Sequence, residues 1–460
     1  MILPVPTAHD LTAGLIVIQI AAPAATLLAI GLPTLADHPP SERATTRAVA
    51  VGFGVAFLAA LVSLAVGVAR GFPVEIVHLG TLFSVGDHAA TVELVADGLS
   101  IPYVCFSTGL CSLVNAFAGR YLHREAGFTR FFILLALFGF GMNLLVLAGS
   151  IDVLFAGWEC VGISSTLLIG FFHARRTAVD AALRAFVTYR ICDMGLLAAG
   201  VVIHHAVGSG DFGRVFAGAW PAATCLVPTT VATPAALLLV FAALGKSAQV
   251  PFSGWLPRAM EGPTPSSAIF YGALSIHAGA YLLLRCAPLL DSAPGVGWLL
   301  VAIGLGTAVH AAVVGSVQTD LKGMLAYASM TQAGLILAEI GLGWRIVPLV
   351  HVISHAILRS LQILRSPSAM HDRHELSAAL GGPPGQGESP LVRLLPAAAR
   401  TTLYRIALDR GFEDAWVGRF VVGPVLTALR SAADFERRIV ARLGGSQDVA
   451  AEWHRDRGAA

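Results

Sequence analysis

The sequence predicts an all-α polytopic membrane protein of about eleven transmembrane helices, with a broken seventh helix and a short cytosolic helical tail. Three observations predict it. The 460-residue chain is 56% hydrophobic and 13% charged, with a mean hydropathy of +0.73, whereas a soluble domain carries about 25% charged residues. Apolar runs of the ~20 residues needed to cross a bilayer recur up to residue 365. The few ionisable residues inside those runs cluster in particular segments, as ion pathways and internal pairs do.

Taken in order, the spans fall at 12–32, 47–69, 97–118, 130–149, 151–172, 184–206, 233–256, 265–286, 296–317, 322–341 and 345–365. No cleavage-site pattern follows the first, which therefore reads as a retained helix rather than a signal peptide. Between the second and third, residues 82–95 alternate in character around a Gly86-Asp87 turn, the pattern of a hairpin. The seventh span contains "LLLVFAALGKSAQVPFSGWL", residues 237–256. Pro251 removes a backbone donor there and clashes with the preceding turn. Broken helix inside a membrane survives only where protein or a wet cavity satisfies it, and such breaks hold ion sites in transporters.

Loop charge sets the orientation. Loops after odd-numbered spans hold Arg43, Arg47, Arg120, Arg124, Arg130, Arg175, Arg176, Arg184, Arg258 and Lys322. Those after even-numbered spans hold only Arg70, Arg214, Arg285 and Arg345. The richer side is predicted to be cytoplasmic, with a periplasmic N-terminus and a cytoplasmic C-terminus in the cell inner membrane. Beyond residue 366, "GGPPGQGESP" (381–390) is a linker by composition. Residues 399–443 then read as two amphipathic helices, with Leu403, Ile406, Trp416, Phe420 and Val425 set among arginines and acids. Charges there nearly balance, which suits packing on the membrane domain or a partner rather than a polybasic lipid anchor. The chain thus divides into N-terminal helices with the hairpin (1–118), a conducting core (119–366), a linker (367–398) and a tail (399–460).

A net charge of +2 without a basic stripe points away from nucleic acid. The six cysteines form no CxxC pair, so they read as small buried hydrophobes rather than metal ligands. Of the 30 basic residues only Lys246 and Lys322 are lysines. A desolvated lysine can release its proton and an arginine effectively cannot, so Lys246 in an apolar run is a candidate switchable charge. Glu159, mid-helix in "VLFAGWECVGISS", is its expected partner. Arg190 and Asp193, three apart, share a helix face and can pair. Tyr271 and His277 lie in the eighth span and His310 in the ninth, where it reads as a core histidine or a supporting polar group. His351, His355 and Arg359 make one polar stripe at i, i+4 and i+8. The two histidines have metal-ligand spacing, but "HVISH" lacks the glutamate of a zinc helix, and no cofactor is expected in this chain.

The stretches "LLVLAGSIDVLFAGWECVGISSTLLIGFF", "AFVTYRICDMG", "GKSAQVPFSGWLPRAMEGPTPSSA", "TDLKGMLAYASMTQAG" and "DGLS" resemble the antiporter-like, proton-translocating subunits of respiratory complex I, chain 5 (L) type. The resemblance covers about residues 90–365. It implies a proton path through Glu159, Lys246, Lys322 and His355, with Arg190 and Asp193 in support. The sequence departs from that pattern in two places: Tyr271 stands where the family has a histidine, with His277 six residues on, and Arg359 replaces a lysine. The family's second broken helix and long lateral helix have no counterpart. "SIHAGAYLLLR", "HAILRSLQILRSPSAMHD" and "LYRIALDRGFEDAWVGRFVVGP" are similar to DabB-type membrane subunits of inorganic-carbon-accumulating complexes. That similarity implies conduction of H+ or Na+ coupled to CO2 hydration in a large soluble DabA-like zinc partner. Two other readings stay open: a proton-pumping subunit of a respiratory dehydrogenase or multi-subunit antiporter, and a membrane anchor with a vestigial relay.

Overall fold

Long apolar helices account for most of the computed structural model, which describes residues 8–85, 88–270, 272–380 and 397–444. Helices α1 (Ala8–Leu35) and α2 (Glu42–Arg70) lead into strands β1 (Glu75–Val85) and β2 (His88–Ala96), which pair antiparallel as the predicted hairpin. Then follow α3 (Ser100–Tyr121), α4 (Phe128–Val146), α5 (Ile151–Ile169) and α6 (Arg176–Val207). A short turn of helix, α7 (Phe212–Val215), and the two-residue strands β3 (Phe216–Ala217) and β4 (Thr224–Cys225) lead to α8 (Thr229–Lys246). The broken region holds α9 (Trp255–Arg258), α10 (Thr264–Phe270), α11 (Ala278–Arg285) and α12 (Ala287–Asp291). Helices α13 (Val296–Gly315), α14 (Leu321–Gly341) and α15 (Ile346–Leu380) complete the membrane-type array. Among the described residues, ten helices are long and apolar enough to cross a membrane. The expected span outside these ten is the tenth, 322–341, which forms α14, a 21-residue helix made more polar by Lys322, Gln332 and Glu339.

Helix ends follow local sequence. Ser41 Oγ accepts from the Ala44 N–H at the start of α2, and Gly71, at φ +74°, closes that helix in the left-handed region. Ser150 and Asp320 cap α5 and α14 in the same way. The hairpin is pinned to the helix ends beneath it. Val95 N–H donates to the Leu147 carbonyl at 2.7 Å, Gly149 N–H to the Glu93 carbonyl at 2.8 Å, and Thr91 Oγ1 hydrogen-bonds to Asp211. The ends of α4, α6 and α11 therefore share one face with the hairpin, called here the hairpin face.

Glycines let helices touch backbone to backbone. A Cβ on Gly304 would lie 2.4 Å from the Gly334 carbonyl oxygen across the α13–α14 contact. Gly304→Ala should therefore lower stability by about 1–3 kcal/mol, the cost of overpacking, read as a lower thermal unfolding midpoint in detergent; an unaltered midpoint would contradict the contact.

Two helices break inside the array. The first break was expected: α8 stops at Lys246, and the chain turns through Ser247–Gly254 with a cis Val250–Pro251 bond. Freed groups there find protein partners, with Val250 N–H donating to Thr307 Oγ1 and Trp255 Nε1 to the Gly245 carbonyl. The second break corrects the continuous helix predicted for 265–286. Gly272 N–H bonds to the Ser267 carbonyl and Leu274 N–H to Ile269, both five residues back, and a 3-10 turn follows over Ser275–His277. The Ala268 carbonyl, released from its helical partner, accepts instead from Ser360 Oγ of α15 at 3.1 Å. No proline marks this break; a neighbouring helix supplies the hydroxyl that makes it possible. Wide turns of this kind recur at functional sites.

By compactness the chain divides into residues 1–411 and 412–460. In the first unit, helix α16 (Ala397–Leu408) packs against α13. The second unit consists of α17 (Glu413–Val417), a wide turn over Gly418–Val422 and the amphipathic α18 (Gly423–Gly444).

Candidate functional site: a buried line of charged and polar groups

The site begins where α5, α6 and the end of α8 meet. Glu159 projects from the middle of α5, and Arg190 and Asp193 lie one turn apart on α6. Arg190 uses its fork on both carboxylates, bonding Glu159 through Nη1 and Asp193 through Nη2 at 2.8 Å. The other oxygen of Asp193 accepts from the Trp158 indole. The expected Arg190–Asp193 contact is present; the expected Glu159–Lys246 pair is not. Lys246 is fully buried, donates to the Trp158 carbonyl at 3.3 Å, and stands 4.8 Å and 4.5 Å from the ring centres of Trp158 and Tyr189. The reason is geometric. The Arg190 fork occupies a carboxylate on each of two neighbouring helices, and Lys246 turns instead to the Trp158 carbonyl and the faces of Trp158 and Tyr189. Gly162 separates the two cations: a Cβ there would lie 2.8 Å from Lys246 Nζ and 3.2 Å from Arg190 Nη2. With every group ionised, two carboxylates and two cations balance in one cluster, with Lys246 and Asp193 buried and Glu159 and Arg190 half-buried.

Buried hydroxyls and histidines lie on the elements next to Lys246. Ser247 Oγ follows directly, buried and without a protein partner, against Gly279 of α11, where a Cβ would come within 2.4 Å. Ser165 of α5 and Ser275 of the second break stand 3.4 Å apart. His277, two residues on and fully buried, places Nε2 2.9 Å from Nδ1 of His355 on α15. The outer nitrogens of this dyad, His277 Nδ1 and His355 Nε2, are buried with no protein partner. One turn toward the hairpin face, His351 contacts Glu339 at 2.8 Å and Gln332 at 2.9 Å. One turn the other way, Arg359 donates to Gln362 at 2.8 Å.

Other predicted residues lie elsewhere. Lys322 is in the first turn of α14, at the opposite end from Glu339, with Asp320 and Glu261 as charged neighbours. His310 abuts Gly411, where a Cβ would be 2.9 Å from its Cε1, away from this line. Tyr271 lies outside the described residues. At the hairpin face a second buried ion pair holds the end of α11. Arg285 donates to both oxygens of Asp97, at 2.5 and 3.1 Å, and to Tyr281 Oη. Asp97 also accepts from the N–H groups of Leu99 and Ser100. Burial pushes its carboxyl up, but Arg285 and the Ser100 bonds outweigh that and hold it below the usual carboxylate range.

Residues 148–380 match the family model described as NADH:quinone oxidoreductase/Mrp antiporter, TM, and residues 82–132 match the complex I chain 5 N-terminus. The chain belongs to this family. It is 36% identical over 329 residues to NADH-quinone oxidoreductase subunit L of Escherichia coli, covering 70% of this chain and 52% of that one. It is 38% identical over 295 residues to NADH-ubiquinone oxidoreductase chain 5 of Schizophyllum commune, covering 64% and 42%. Among solved structures, a chain of the Mrp complex from a Dietzia species superposes with a TM-score of 0.65 at 26% identity, over 89% of this chain and 45% of that one. The chain thus spans about half the length of the curated relatives it matches.

The antiporter-family match covers Glu159, Arg190, Asp193, Lys246 and the histidine stripe. Several participants were missed by sequence reasoning, among them Gly162, Gln332, Glu339 and Ser360. Gly162 and Gln332 look like ordinary membrane-helix residues; Glu339 lies near a helix end, where charge is unremarkable; Ser360 gives no signal without the break it caps. The arginine three residues before Asp193 was visible, but nothing in the spacing says that it reaches across to Glu159.

Proposed function

We propose that this chain is the cation-conducting membrane subunit of a multi-subunit complex in the cell inner membrane, and that its current energises CO2 hydration by a large soluble zinc partner. The observation that carries the conducting role is Lys246, buried at the end of a broken helix beside the Glu159–Arg190–Asp193 cluster, whose second carboxylate its ammonium balances. A proton added to or withdrawn from that cluster unbalances it, and the neighbouring groups respond. The groups beyond Lys246 are serine hydroxyls, which can relay a proton, and imidazoles, which can take one up or give one up at a ring nitrogen, and that suits H+ better than Na+. Zinc and the hydration chemistry belong to the partner in this reading. Its support is the likeness of residues 275–285, 355–372 and 403–424 to DabB-type subunits. With the basic loops inside, the hairpin face is periplasmic.

A second reading is favoured by the relatives, which are named as NADH-quinone oxidoreductase subunits: proton translocation within a respiratory dehydrogenase or Mrp-type antiporter. Affinity purification of the full chain from its native membrane distinguishes the two. A stoichiometric large zinc protein is the expected companion, and deletion of residues 391–460 should abolish its recovery while leaving the membrane region inserted. Recovery of respiratory subunits instead would overturn the CO2 reading, and unchanged zinc-partner recovery after deletion would show that the tail is not the main dock.

A further inference from the structure

The line of exchangeable groups has an end on the hairpin face. Helices α14 and α15 are joined by the Leu342–Arg345 turn, and Arg345 is bonded at 2.5 Å to Asp291, which follows the Arg285–Asp97 pair in the chain. Glu339 is in the last turn of α14 and His351 in the second turn of α15, so both lie close to that turn.

Their contact contains a proton by necessity. His351 Nδ1 is 2.8 Å from Glu339 Oε1, and a bare imidazole nitrogen and a carboxylate oxygen are both acceptors. One proton must lie between them. This holds whichever way the Gln332 amide, 2.9 Å from Nε2, is turned. If its carbonyl faces the ring, Nε2–H donates to it and the shared proton is additional to that one. If its NH2 faces the ring, Nε2 accepts and the neutral ring carries its proton on Nδ1. The other carboxylate oxygen, Oε2, is buried without a protein partner and is the pair's open acceptor position. Exposure rises along the line toward this end: His277 and His355 are 0% and 6% exposed, while the His351 and Glu339 side chains are 25% and 18% exposed.

We propose that Glu339 is the terminal proton-transfer group of the line on the hairpin face, exchanging with His351 and through it with the His355–His277 dyad. This rests on the conducting role proposed above. Outward, with the Gln332 NH2 facing the ring, a proton leaving His355 Nε2 is taken up at Nε2 of the His351 ring one turn away. The ring passes its Nδ1 proton to Glu339 Oε1, Glu339 releases it to water, and the proton on Nε2 then shifts to Nδ1, so that the contact again holds one proton. Inward transfer reverses each step, and no net charge accumulates on either residue.

The test is proton flux into vesicles containing the full chain, driven by a potassium diffusion potential and followed with an entrapped pH dye. Glutamine at 339 keeps an acceptor for His351 but cannot take up a proton. Glu339→Gln should cut the flux at least about tenfold, the low side of a lost general acid–base group, with an unchanged thermal midpoint. Glu339→Asp should restore much of it. His351→Gln carries the same prediction independently if Glu339→Gln does not fold. Wild-type flux in both Glu339→Gln and His351→Gln would overturn the assignment. If Lys246→Ala abolishes flux while those two variants conduct normally, the conducting role stands and this outlet falls; wild-type flux no greater than that of empty vesicles removes both.

Discussion

Lys246→Ala is expected to give a folded, inserted protein that has lost gradient-dependent activity, by a factor of about 100 or more if the lysine transfers protons in the way general acids and bases do. The fold should survive because Lys246 makes no direct ion pair. Its ammonium donates to the Trp158 carbonyl at 3.3 Å, and Glu159 and Asp193 keep the Arg190 fork without it. Function should not survive, because Lys246 is the titratable group between that cluster and the hydroxyls leading to His277. The check is activity of the intact complex with and without an uncoupler, beside the yield of assembled complex. Normal uncoupler-sensitive activity would remove Lys246 from the path; loss of assembly would move it from conduction to structure.

Arg285→Met should have the opposite profile, a large loss of stability. It strands the Asp97 carboxylate, which is buried and otherwise bonded bidentately. Breaking one side of a buried pair costs about 3–5 kcal/mol. Because the pair fixes the end of α11 against the turn before α3, the midpoint for unfolding in detergent should drop clearly. Adding Asp97→Asn should recover part of the loss, since the stranded charge is then gone. The acid dependence has a definite sign. The Asp97 carboxyl is held below its usual range, so its contribution is present above the unfolded value of about 3.9 and lost as pH falls through the folded value. The difference between wild type and Arg285→Met should therefore shrink in strong acid. Equal midpoints at neutral pH would contradict the assigned role of the pair.

These expectations show which parts of the molecule could be read from the chain. The helices other than α14 were legible because they satisfy a length and a hydropathy set by the bilayer. The break at Lys246 was legible because Pro251 cannot continue a helix and a lysine in an apolar run needs a reason. Arg190–Asp193 was legible from i, i+3 geometry. Which carboxylate meets which cation was not, because that depends on the approach of three helices and on the absence of a side chain at Gly162. The second break was hidden for a similar reason: its backbone is satisfied by Ser360, 92 residues away from Ala268. His277 then looked like a displaced histidine, and only the turn at Ser275–His277 brings its ring to His355. Glu339 looked like a helix-end charge until α15 placed His351 against it.

The central claim is that protons pass along this buried line by way of Lys246. The most direct test is potential-driven proton uptake by sodium-free vesicles carrying the purified full chain, compared with the same vesicles carrying Lys246→Ala. Uptake by the wild type that falls to the empty-vesicle level in the variant is the predicted result. Equal uptake by both proteins, or none by either, would contradict it.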